Sequence, residues 1–372
     1  MPVRVEFHVL QSFAPSNLNR DDTGSPKDAL FGGVRRGRIS SQALKRAART
    51  HMRDGGLVPT AATSHRTTRL VDMVASGLRA GGVTDDAAMT AATAVVGAIG
   101  KGKNRVKVKD GKTDVLLFLG QSEVDAIVSL VLAKVDDAQS GKGKGFEALT
   151  ASVVAVLETE EKSARDVALF GRMLAVLPSA NVDAACQVAH AISTHRVDRE
   201  FDFFTAVDDL NTAERVAADM VGTIEFNSAC YYRYSAIDLD QLRQNLGGDA
   251  AAAADTVAAY ARAVAEAAPT GKQNTFAAHN PPSAILMSWR TSGSPRSLAN
   301  AFERPVPASL DGFVPASVRR LRDEWVRTEA AYGAAETAWV LDLSGAFEPV
   351  ANLTAVSSLA ALVAAGRDQA QP

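Results

Sequence analysis

The chain has 372 residues, of which 47% are hydrophobic and 22% charged, with a formal charge of -2; this is the make-up of a globular protein with a large core. No apolar run is long enough to span a bilayer, and the opening MPVRVEFHVL alternates instead of forming a signal-peptide core. Two cysteines, Cys186 and Cys230, build no disulfide framework, so a reducing cytoplasm is the expected location.

In chain order, Val3, Val5, Phe7 and Val9 alternate with Arg4, Glu6 and His8, which predicts a half-buried strand. The next stretch is the most informative. Residues 1 to 53 carry ten cations and four anions, a local balance of +6, so the remaining 319 residues sum to -8. Such segregation points to a polyanionic partner. Asn19, Asp21, Asp22, Gly24, Ser25 and Pro26 are turn formers, and Gly32-Gly33 lets backbone amides approach a ligand closely. Ser40 or Ser41 caps a helix starting near Gln42, on which Lys45, Arg49 and Arg53 share one face while Leu44, Ala47 and Ala48 pack inward. A capped helix start, flanking cations and a glycine turn each attract phosphate.

From about residue 67 to 177 the chain reads as helical and alanine-rich, interrupted by the lysine-glycine segments 101–114 and 139–145, which predict mobile loops. Strand-like runs return at 222–237, 284–289 and 338–343, with an alanine-rich helix at 249–268. Strand, helix, strand pair, helix, strand is the order of a ferredoxin-like or RRM-like core. The first strand offers only Phe7 and His8 as stacking rings, and no RRM aromatic signature occurs. Base stacking on an open sheet is therefore not expected.

Catalytic patterns are weak. Adjacent Asp21 and Asp22 lie beside cations, but a two-metal site needs several convergent carboxylates. Cys186, His190 and His195 match no strong zinc spacing and lack a fourth ligand. Neither a P-loop nor a dinucleotide fingerprint is present.

The run HVLQSFAPSNLNRDDTGSPKDALFGGVRRGRISSQALKRA (8–47) resembles the amino-terminal signature of the Cas7 (CasC/Cse4) family of type I-E CRISPR Cascade. Also similar are GRMLA (171–175), VAHAISTHRVD (188–198), DFFTAVDDL (202–210), YYRYSAIDLDQLRQNLGG (231–248), GKQNTFAAHNP (271–281) and SLANAFE (297–303). The resemblance implies an α+β fold: an RRM-like (ferredoxin-like) palm at 1–60 and 224–372, a large helical fingers insertion at 61–180, and a thumb β-hairpin with its web at 181–223. It implies a non-catalytic backbone subunit without cofactor or metal, whose copies form a helical filament along the crRNA spacer and present the guide to target DNA. The other Cascade subunits (Cas5, Cas6, Cas8/Cse1, Cse2) are then partners.

Carried over residue by residue, the resemblance makes Asn19, Arg20, Lys27, Ser40, Gln42, Lys45, Arg46, Arg49 and Lys272 the candidates for RNA phosphate contact. Met173, Phe204 and Val207 become the wedges that displace every sixth nucleotide, a role that suits the adaptable thioether of Met173. Lys142 and Lys144 fall where relatives carry lysines facing duplex DNA. A type III-like endoribonuclease using Asp21 or Asp22 is the competing expectation, and a free-standing RNA-binding module a third.

Overall fold

The computed structural model describes residues 3–102, 104–159, 164–206 and 220–371. The chain forms two compact units: residues 1–52, 187–237 and 257–369 make the first, and residues 53–186, 238–256 and 370–372 the second.

The first unit is built on a large sheet. Its opening strand β1 (Arg4–Ser16) lies between Ala284–Arg290 on one side and the long strand Met220–Asp238 on the other, and the latter is followed by Ala191–Ser193. Taken in chain order these four strands have the spatial order 4-1-3-2, which is the ferredoxin-like arrangement. Thr337–Asp342 extends one edge; β2 (Asp28–Phe31) and β3 (Val34–Ile39) extend the other. Register is set by apolar pairs such as Phe7 opposite Met287 and Val9 opposite Ile285.

Helix α1 (Ser41–Asp54) and the helix Ala250–Glu266 follow the ferredoxin pattern. Leu44 and Ala48 of α1 share a small cavity with Phe7, Val9, Tyr260 and Val264, and the Phe7 and Tyr260 rings meet edge to face at 5.6 Å. The mixed α+β class and the palm are thus as the sequence predicts.

The half-buried β1 is not: Glu6 and His8 are fully buried along with Val5, Phe7 and Val9. The reason is the helix Val314–Tyr332, whose Val318, Leu321 and Trp325 join Leu10, Tyr232, Tyr234 and Leu286 in a second apolar layer. Burying polar groups there requires partners. Glu6 accepts from Tyr234 (2.7 Å), from the Arg296 amide (2.6 Å) and from Arg290 (3.3 Å), while His8 Nδ1 lies 2.9 Å from the Tyr232 hydroxyl.

The second unit is the expected helical bundle. Leu70–Ala80, Asp85–Gly97, Gln121–Leu132 and Gly143–Glu158 pack around Val74, Leu78, Val95, Ile127, Leu149 and Val153. Two loop expectations are corrected here. The described part of 101–114 forms the short antiparallel pairs Gly100–Lys101 with Asn104–Arg105 and Val108–Lys109 with Lys112–Thr113, anchored by buried Val106 and Thr113. In 139–145, one helix runs to Ser140 and the next begins at Gly143, with Gly141 between them in the left-handed conformation.

Among the described residues, no helix is long and apolar enough to cross a membrane.

Candidate nucleic-acid interface

The cationic block of the first unit is a junction of four segments, held by two asparagines. Buried Asn17 donates through Nδ2 to the carbonyls of Gly24 (2.9 Å) and Glu225 (2.8 Å), tying the turn to the long strand. Asn19 accepts at Oδ1 from the Ser40 amide (2.8 Å) and at its own carbonyl from the Lys27 amide (2.9 Å), tying the same turn to the start of α1. Gly271 presses against Leu18 so closely that a Cβ would overlap the Leu18 carbonyl, which brings the Lys272 loop to the junction. Lys272 itself takes the left-handed backbone conformation, φ +52°.

On this frame the candidate residues divide by what their side chains do. Arg20, Gln42 and Arg46 are exposed, and Asn19, Lys27, Lys45, Arg49 and Lys272 are half-buried. Arg20 and Arg46 join no ion pair among the described residues. Ser40 is buried, and its hydroxyl accepts from the Ala43 amide at 3.3 Å, so it is the helix cap that its position predicts. Other cations are spoken for: Arg35 and Arg199 both pair with Asp28, and buried Arg36 donates to the carbonyls of Ser193, Phe302 and Glu303. Desolvation, and then the charges of Arg38 and Lys27, hold His190 below the ordinary imidazole range.

One expected role changes. Gly32-Gly33 is the tip of the β2–β3 hairpin, with φ +58° and +76°, and a Cβ on Gly32 would overlap the Glu303 carbonyl; Gly32 thus serves a tight turn against protein backbone. Asp21 organises its own turn, Oδ1 accepting from the Thr23 hydroxyl (2.7 Å) and from the amides of Thr23 (3.0 Å) and Ser25 (3.0 Å). The Thr23 hydroxyl is the main reason that its carboxyl lies below the ordinary range. Among the described residues, no group of three His, Cys, Asp or Glu side chains is placed to hold a metal. His195 is stacked on Phe313 with centroids 3.6 Å apart and accepts at Nε2 from the Cys230 amide at 3.2 Å.

The arm beside this junction pairs Glu200–Ala206 with Met220–Phe226. Phe204 is 37% exposed, and its ring lies against Gly222 of the paired strand. Val207 lies outside the described residues. Sequence reasoning missed Phe201 and Phe203, which are 65% and 66% exposed on the other face of the arm; their two-residue spacing in FDFF was the available signal. It also missed Asn17, whose role depends on contacts 7 and 208 residues away.

In the second unit Met173 is 82% exposed. Lys142 and Lys144 are also exposed there.

The CT1975-like protein family matches residues 5–365. No curated protein matches the chain. Among solved structures, a chain of a "CRISPR RNA-guided surveillance complex, pre-nicking" is 32% identical, with a TM-score of 0.87, the match covering 99% of this chain and all of that one. A chain of another "CRISPR RNA-guided surveillance complex" is 29% identical, with a TM-score of 0.73, the match covering 97% and 99%. With a family match over nearly its whole length and full-length structural relatives of this kind, the chain belongs to the CT1975-like family of Cas proteins.

Proposed function

We propose that this chain is the Cas7 (CasC/Cse4) backbone subunit of a type I-E Cascade. Copies assemble as a helical filament along the crRNA spacer in the cytoplasm, beside Cas5, Cas6, Cas8/Cse1 and Cse2, and present the guide for pairing with target DNA in antiviral defence. The observation that carries this reading is the junction around Asn17 and Asn19, where Arg20, Lys27, Arg46 and Lys272 are displayed on a hydrogen-bonded frame while both faces of the palm sheet are covered. A covered sheet cannot stack bases, so cations are left to grip phosphates, which carry no sequence information. A guide holder must accept any spacer and leave base edges free for pairing.

Mechanistically, α1 and the 17–27 turn supply charge at fixed positions along the RNA backbone. Met173 and Phe204 supply apolar surface against which a base is unstacked, which costs a few kcal/mol and reads no sequence. Lys142 and Lys144 are placed by this reading near duplex DNA. On this reading the subunit is non-catalytic, Asp21 serves its own turn through Thr23 and Ser25, and target cutting falls to a separate nuclease.

The test is binding of purified protein to several unrelated spacer RNAs across a salt series, with and without magnesium. Equal affinities and equal salt slopes with intact RNA support the reading. Strong preference for one sequence, or magnesium-dependent cleavage abolished in Asp21→Ala or Asp22→Ala, overturns it.

A further inference from the structure

An exposed apolar side chain ordinarily belongs to a solvated tip, but both neighbours of Met173 are immobilised. Arg172 is fully buried. Its Nη1 donates to both carboxylate oxygens of Glu123 (2.9 and 2.8 Å), its Nε to the Ala180 carbonyl (2.9 Å) and its Nη2 to the Leu157 carbonyl (2.8 Å). The Arg172 main chain exchanges two 2.9 Å hydrogen bonds with Val182. On the other side, buried Leu174 donates its amide to Asn181 Oδ1 at 2.7 Å. Glu123 is itself fixed, since Oε2 accepts from the Gly120 amide at 2.8 Å.

One guanidinium therefore joins the start of the Gln121–Leu132 helix, the end of the Gly143–Glu158 helix and the Pro178–Ala180 turn. An apolar residue of the same volume would often serve stability as well, because burying an ion pair costs desolvation that its attraction barely offsets. What the planar fork adds is direction: its hydrogen bonds to three separate segments fix the height and orientation of the backbone from which the next side chain projects.

We propose that Arg172, clamped by Glu123, is the positioning residue for Met173: it sets the point from which the thioether projects, so that every copy presents its wedge to a nucleobase at the same depth. The proposal rests on the guide-holding reading above and deepens it, since a periodic displacement needs an identical protrusion from each copy. The flexible Met side chain adapts to whichever base arrives, while its root stays fixed.

The experiment compares full-length Arg172→Lys, Asn181→Ala and Met173→Ala with the parent, each assembled on one crRNA. Melting temperature, the salt slope of RNA binding, and single-nucleotide chemical reactivity of the RNA are read well below the melting transition. A purely structural role lowers the melting temperature and leaves the reactivity pattern unchanged. The positioning role predicts that Arg172→Lys, and less strongly Asn181→Ala, lose the periodic reactivity that Met173→Ala loses, with affinity and salt slope near the parent's.

If Met173→Ala loses the pattern while the other two folded variants keep it, positioning by Arg172 is overturned and the wedge reading stands. A pattern intact in Met173→Ala removes the wedge assignment and this proposal with it. Should Arg172→Lys fail to fold, Asn181→Ala decides, because Asn181 is exposed and its loss leaves the buried pair untouched.

Discussion

Helix α1 and the Gly171–Leu174 loop are built the opposite way round. On α1 the apolar residues Leu44, Ala47 and Ala48 face inward and Arg46 faces solvent; in the loop Arg172 is buried and Met173 is displayed. The first arrangement is what a helix on any protein surface adopts. The second gains nothing from water, since it hides a charge and exposes a thioether. On the guide-holding proposal the difference separates two tasks: exposed charge to grip phosphate, and an exposed apolar group on a rigid root to intrude between bases.

That contrast is breakable at both ends. The largest expected effect is on Arg172→Ala, which strands the Glu123 carboxylate in a buried site and destabilises the second unit by about 3–5 kcal/mol in urea denaturation. The matching change on α1, Arg46→Ala, stays within about 0.5 kcal/mol. Similar destabilisation by both would erase the contrast.

Acid acts on the first unit through His8. Burial lowers its pKa from 6.5 to about 4, so between those values the unfolded chain takes up a proton that the folded chain refuses. Stability is full above pH 6.5 and falls by about 3 kcal/mol as the pH drops to 4; His8→Gln should flatten that part of the pH profile. Unchanged denaturation midpoints between pH 7 and 4.5 in the parent would contradict the buried neutral imidazole.

Ser40→Ala removes the cap of α1 and costs about 1 kcal/mol. The Ser40 amide that Asn19 holds is kept, so the melting temperature should fall while RNA affinity stays near the parent's. Lys45→Ala combined with Arg49→Ala is read in binding, not in folding. There the change appears in binding: the salt slope for single-stranded RNA drops by about 0.7 for each phosphate no longer neutralised, equally for unrelated sequences. A steep, sequence-dependent loss of affinity would mean that α1 reads bases.

Much of this was legible in the sequence, for reasons that differ between the two regions. The strand–helix opening, the Ser40 cap and the inward face of α1 follow from local spacing, and local rules sufficed. The burial of Glu6 and His8 was not legible, because it depends on a helix some three hundred residues later covering the second sheet face. Glycines 32 and 33 read as a turn in sequence, but the group that leaves Gly32 no room for a side chain is the Glu303 backbone, a tertiary fact. Met173 became a candidate only through family resemblance, and nothing in GRMLA shows that its arginine faces inward. The aromatic pair Phe201 and Phe203 lies within reach of a simple alternation count, which Phe204 alone does not exhaust.

The most direct measurement is a footprint of the purified protein on a crRNA at single-nucleotide resolution, with and without magnesium. The account predicts protection of the backbone interrupted at every sixth nucleotide, indifferent to spacer sequence and to magnesium. Continuous protection, no protection, or magnesium-dependent cuts made by the protein alone would contradict it.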